Sequence, residues 1–197
     1  MLQTTHPQLL NASKIISDFF NPITALLLFF IFFSIKNYSW KEALQQFLPI
    51  LLILILPIFI WIIWNVKKGN YTNMDVSNRV QRKSLYNFIG MMFVLYLLYD
   101  YFTNQRFNQE MMYILALLIF MQLSNYFVKS SMHTAFNVFV SALFFHQNPL
   151  FGLIWLFIAF VVGITRILLK RHSPKEVIFG FVIAGMVSFV YLYTNFN

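Results

Sequence analysis

Apolar positions along this chain come in long unbroken blocks, not in the alternating or every-third-and-fourth pattern that marks a half-buried strand or helix. The blocks run over about Ile16–Ile35, Phe47–Val66, Tyr86–Phe102, Met111–Val128, His133–His146, Phe151–Leu169 and Glu176–Thr194. A helix needs about 20 predominantly apolar residues to cross roughly 30 Å of hydrocarbon, and most of these blocks come close to that length. The block at 133–146 is short for a crossing. Pro49 and Pro57 fall at the edge of and inside the second block, where they kink a membrane helix without abolishing it. The pattern predicts an all-α, polytopic membrane helical bundle with six to seven transmembrane segments. No internal repeat, Gly/Ser linker or low-complexity tail interrupts it, so residues 1–197 are read as a single membrane-embedded domain.

Composition strengthens this reading. The 197 residues are 59% hydrophobic and 10% charged, against roughly 25% charged in an ordinary soluble domain. With no cysteine, disulfides, thiolate catalysis and cysteine metal sites are excluded together. The formal charge of +8 invites a nucleic-acid reading. The cations, however, sit in short loops between apolar blocks, where phospholipid head groups or a phosphorylated substrate are the better partners. Membrane lipids are expected partners, and nucleic acid is not.

Counting crossings adds a topological expectation. Two blocks separate the polar stretch 67–85 from the break at 129–133, and two more separate that break from the basic loop 170–175. An even number of crossings places all three on one face, together with His133 and His172, while His146 lies opposite. Such a gathering suits an anionic ligand.

The most specific pattern within it is Arg166-Ile167-Leu168-Leu169-Lys170-Arg171-His172-Ser173-Pro174-Lys175-Glu176, or R-x5-H-x3-E. It resembles the third signature, S-R-x5-H-x3-D, of the type 2 phosphatidic acid phosphatase superfamily, the relatives of vanadium haloperoxidases. Ser130-Ser131-Met132-His133 resembles the second signature, P-S-G-H, with Met132 in place of glycine. The first, K-x6-R-P, is echoed only by Arg79 and Arg82, with no lysine seven residues before either and Lys83 where proline would stand.

This resemblance implies a metal-independent phosphatase, without a cofactor, acting on a lipid phosphate or a polyprenyl diphosphate through a phosphohistidine. His172 would be the nucleophile and His133 the acid that protonates the leaving oxygen. Arg166, with Arg79 or Arg82, would grip the phosphate oxygens through bidentate hydrogen bonds. Ser131 and the amides after it would add donors at a helix N-terminus, with Lys129 a weaker contributor. Glu176 admits two readings. As the counterpart of the family's aspartate it would orient His172 and stabilise imidazolium character; as the fourth residue of Ser173-Pro174-Lys175-Glu176 it would close a capping box on the last helix.

Other classes remain to be weighed against the phosphatase. A catalytically inactive lipid-binding or scaffold protein on the same fold is the alternative, motivated by the departures in the first and second signatures. A transporter fits less well, since the cations cluster at one surface and not along a path through the midplane. A metal-dependent prenyltransferase or alcohol phosphotransferase would use grouped aspartates, and the chain has six acids in all, none paired.

Membrane orientation is read from the cations. Of the 14 Lys and Arg residues, Lys36, Lys41 and Arg106 fall on the far face and eleven on the motif face. Setting aside Arg79, Arg82, Lys129 and Arg166 still leaves seven against three. The positive-inside rule places the motif face in the cytoplasm, in what is expected to be a bacterial inner membrane. The resemblance instead implies the outer face.

Overall fold

Residues 7–76 and 78–196 are described by the computed structural model, and among them every regular element is helical. The order is α1 (Pro7–Phe19), α2 (Pro22–Asn37), α3 (Trp40–Pro49), a π-helical turn (Ile50–Ile55), α4 (Leu56–Lys67), α5 (Arg79–Asn104), α6 (Gln109–Ser124), α7 (Met132–Gln147), α8 (Pro149–Leu168) and α9 (Pro174–Phe196). The all-α bundle read from the sequence is what the chain forms.

Among the described residues, four helices are long and apolar enough to cross a membrane: Trp40–Lys67, Arg79–Asn104, Pro149–Leu168 and Pro174–Phe196. A fifth crossing results if α1 and α2, bent by 57° at a short break, count as one span. The blocks around 111–128 and 133–146 become α6 and α7, each of 16 residues. At 1.5 Å per residue these are about 24 Å long, short of the hydrocarbon thickness. Four or five crossings by length and composition, plus these two shorter helices, are compatible with the six to seven segments expected.

The chain divides into two compact units, one of Met1–Phe33 with Val128–Asn197 and the other of Ser34–Phe127. In the second unit, α3, the π-helical turn and α4 run as one continuous 28-residue helix. Pro57 supplies no N–H and its ring excludes the carbonyl four residues back. The wider π register just before it, closed by Leu56 N–H donating to Leu51 O, accommodates that gap.

In the first unit α7 is the central helix, with every residue from Thr134 to Phe144 buried. A helix that is apolar all round is stable only when covered all round, and α8 and α9 do much of the covering. Their packing turns small residues inward and large ones outward. Gly152 of α8 faces Phe145, where an added Cβ would lie 2.4 Å from the phenylalanine Cβ, and Gly180 of α9 abuts the main chain at Ser131. Leu153, Phe157, Phe160 and Ile164 of α8 and Ile178, Val182, Met186 and Phe189 of α9 are all exposed. This is the arrangement expected where lipid, not water, meets the outer face and small residues let helices approach.

Candidate active site

The site starts at the end of α8. Leu169 closes the helix, and Lys170 then takes a left-handed conformation at φ 54°, the usual device for reversing the chain after a helix. The reversal lets two successive amides donate to one acceptor: Arg171 N–H and His172 N–H reach the carbonyl of Arg166 at 3.0 and 3.2 Å. His172 is thereby held directly over the residue six positions before it.

Its ring is enclosed, with a side-chain exposure of 0%. Nδ1 lies 2.8 Å from Oε2 of Glu176. The same Oε2 accepts from Ser173 N–H at 3.2 Å, and Ser173 Oγ accepts from Glu176 N–H at 3.3 Å. The capping box is formed, and the same carboxylate oxygen that closes it lies within hydrogen-bond reach of the imidazole. The capping box fixes the start of α9, and the fixed carboxylate in turn faces the imidazole. Glutamate can do this because the i,i+4 spacing across a helix start brings the side chain back over the residue before the cap.

A second segment joins from the start of α7. Ser131 N–H donates to the main-chain carbonyl of Glu176 at 3.0 Å, and an added Cβ at Gly180 would stand 2.8 Å from Ser131 O. Any side chain at 180 would push the two segments apart. Ser131 is the N-cap of α7, its Oγ accepting from Thr134 N–H at 3.4 Å and from Thr134 Oγ1 at 3.0 Å. Two residues on, in the first turn of the helix, is the half-buried His133. Lys129 spans the same junction, donating from Nζ to Arg171 O at 3.1 Å and lying 3.8 Å from Glu176 Oε2.

Arg166 is buried, and its Nη1 donates to Oγ of Ser17 in α1 at 2.8 Å. Ser17 is a partner of Arg166 that sequence reasoning missed. A serine inside an apolar block carries no local signal of what it touches 149 positions away. The expected convergence of the 129–133 and 170–175 loops is found within the first unit.

Arg79 and Arg82 belong to the second unit. Arg79 donates from Nε to Asn125 O at 2.6 Å and from Nη2 to Tyr126 O, and Arg82 donates from Nε to Val76 O at 3.0 Å. Asn125 Nδ2 returns a bond to Arg79 O at 3.1 Å. These contacts fasten the start of α5 to the end of α6.

The double duty of Glu176 has a testable consequence. Glu176→Gln keeps an acceptor for Ser173 and His172 but removes the negative charge, so the helix cap survives while imidazolium loses its stabilising neighbour. Activity is expected to fall about tenfold or more with little change in thermal stability, and Glu176→Asp to retain part of it. Full activity in the Gln variant excludes the orienting role.

A family model described as PAP2 superfamily matches residues 120–197. No curated protein and no solved structure matches the chain. The matched stretch begins within α6 and takes in Lys129, Ser131, His133, Arg166, His172 and Glu176 but neither α1 nor the second unit's arginines, so the likeness to the PAP2 superfamily, the type 2 phosphatidic acid phosphatases, rests on these C-terminal residues.

Proposed function

We propose that the chain is a metal-independent membrane phosphatase that hydrolyses a lipid phosphate or diphosphate through a phosphohistidine. The observation that carries this reading is the 2.8 Å contact between His172 Nδ1 and Glu176 Oε2. A carboxylate there holds the proton on Nδ1 and leaves the lone pair on Nε2, the nitrogen that attacks phosphorus. As the N–P bond forms and the ring gains positive charge, Glu176 stabilises it. His133 gives its proton to the leaving alcohol or phosphate oxygen as the P–O bond breaks. Water, deprotonated by the now neutral His133, then attacks the phosphohistidine and releases inorganic phosphate.

Arg166 holds the phosphoryl oxygens and offsets charge in both transition states. Lys129 and the amides at the start of α7, capped by Ser131, add positive potential and donors. Arg79 and Arg82 give their Nε donors to main-chain carbonyls of their own unit and carry no step in this scheme.

The test is phosphate release by the purified protein in detergent with excess chelator, over a panel of phosphatidic acid, phosphatidylglycerol phosphate and polyprenyl diphosphate. Hydrolysis of at least one is expected, and no release from any excludes the phosphatase in favour of an inactive lipid-binding role. Loss of activity on adding chelator would instead point to metal-dependent chemistry.

The face of the membrane on which this occurs is addressed by the absence of native cysteine. Asn70 precedes α5 and Asn104 ends it, so the two lie at opposite ends of one 26-residue helix. With the basic loops in the cytoplasm, Asn104→Cys is expected to react with an impermeant maleimide in intact cells and Asn70→Cys to be protected. The reverse labelling would show that the cation excess serves the substrate.

A further inference from the structure

The family match leaves α1 outside, yet α1 is fastened to the elements that carry the site. Its buried residues are Ser13 and Ser17, one turn apart on a single face, whereas Leu9, Ile15 and Phe19 are exposed. A membrane helix that turns its hydroxyls inward and its large apolar groups outward is shaped to meet something polar in the bundle. What Ser17 meets is Arg166 Nη1, at 2.8 Å, with both residues buried.

The end of α1 is fixed as firmly. Pro22 brings no N–H to the chain at the 57° break, and Asn21 compensates locally by donating from Nδ2 to Asp18 O at 2.7 Å. The carbonyl of Phe20 is taken by Asn137 of α7, whose Nδ2 donates to Phe20 O and to His133 O, each at 2.8 Å. One side-chain amide thus joins the end of α1 to the first turn of the helix bearing His133.

We infer that Ser17 is a positioning residue for the phosphate site: α1 is its outer wall, and the Ser17 hydroxyl fixes the Arg166 guanidinium in the orientation that grips a phosphoryl group. The chemistry of the partner matters. A carboxylate at this place would hold the guanidinium but cancel the positive potential an anion needs, whereas a hydroxyl accepts the N–H and leaves the charge intact. This inference rests on the assignment of Arg166 to phosphate binding.

The experiment measures inhibition by orthophosphate, together with KM and kcat, for the full-length protein in detergent and for Ser17→Ala, Ser13→Ala, Arg166→Lys and the Ser17→Ala/Arg166→Lys pair. Loss of one hydrogen bond to a charged group is expected to weaken orthophosphate inhibition and raise KM by about tenfold in Ser17→Ala. Ser13→Ala, on the same buried face but without the arginine contact, is expected to match the unaltered protein. On the Arg166→Lys background, adding Ser17→Ala is expected to change little, since a residue acting through Arg166 has nothing left to position. Unchanged phosphate inhibition in Ser17→Ala, or the same loss with and without Arg166, overturns the inference and leaves the phosphatase reading standing. Unchanged phosphate inhibition in Arg166→Lys overturns the assignment of Arg166 and the role of Ser17 with it.

Discussion

His172→Ala is expected to abolish turnover, by roughly three orders of magnitude or more, on every substrate the protein hydrolyses. Removing the nucleophile of a covalent mechanism removes the pathway itself, and only the substrate-binding groups remain to give residual rate. Ser173 Oγ, the hydroxyl next in sequence, is the cap acceptor for Glu176 N–H. Because the ring of His172 is enclosed, the loss must be separated from misfolding. His172→Asn, closer in volume to histidine, is the companion variant, checked by elution in detergent and by thermal unfolding. The direct readout is the intermediate. Brief exposure of the unaltered protein to labelled substrate followed by alkaline quenching should leave acid-labile phosphate on His172, and both variants should carry none. Phosphate trapped elsewhere, or turnover surviving in a folded His172→Asn, contradicts the nucleophile assignment.

His133→Ala is expected to show the second-largest effect, and the effect should depend on the leaving group. Expelling an alkoxide from a lipid phosphate without a proton is costly, so about 10²- to 10⁴-fold should be lost there. p-Nitrophenolate leaves without protonation. On p-nitrophenyl phosphate the first step should therefore survive, giving a burst of p-nitrophenol equal to the enzyme concentration before a slow phase limited by unassisted attack of water. Equal losses on both substrates, with no burst, would mean that His133 serves the structure of α7's first turn. Its main-chain carbonyl, which accepts from Asn137, is retained in the alanine variant, so the measurement isolates the ring.

The contacts around His172 were legible because they are local. Arg166, His172 and Glu176 lie within eleven consecutive residues, and the local geometry of that segment follows from spacing. Ser173-Pro174 starts a helix, and the start of a helix brings the fourth residue's side chain back to the cap. The sequence left orienting and capping as competing roles for Glu176. In the structure the two do not exclude each other, because the single oxygen Oε2 lies within hydrogen-bond reach of both Ser173 N–H and His172 Nδ1. Arg79 and Arg82 were proposed from a faint echo of a motif. Their observed bonds to carbonyls at 76, 125 and 126 are long-range or loop contacts that no local pattern encodes.

What the sequence determined by itself is the solvent and the order of the motif residues: chain segments of such length and apolarity fold in lipid as helices, since every backbone polar group has to be satisfied internally there, and the histidines and arginine follow one another along the chain as in the motifs they resemble. Tertiary structure decided which of those helices face lipid. Met132–Gln147 has the composition of a span, but it is the covered centre of its unit, and burial by neighbours leaves no mark on a helix's own periodicity when both lipid and protein interior are apolar. Tertiary structure also decided that a serine in α1 should hold Arg166 and that Gly180 should let α9 touch the Ser131 main chain. Both are contacts between residues far apart in the chain, and they come about only when helices with featureless apolar surfaces select partners by shape and by the few polar groups they must satisfy.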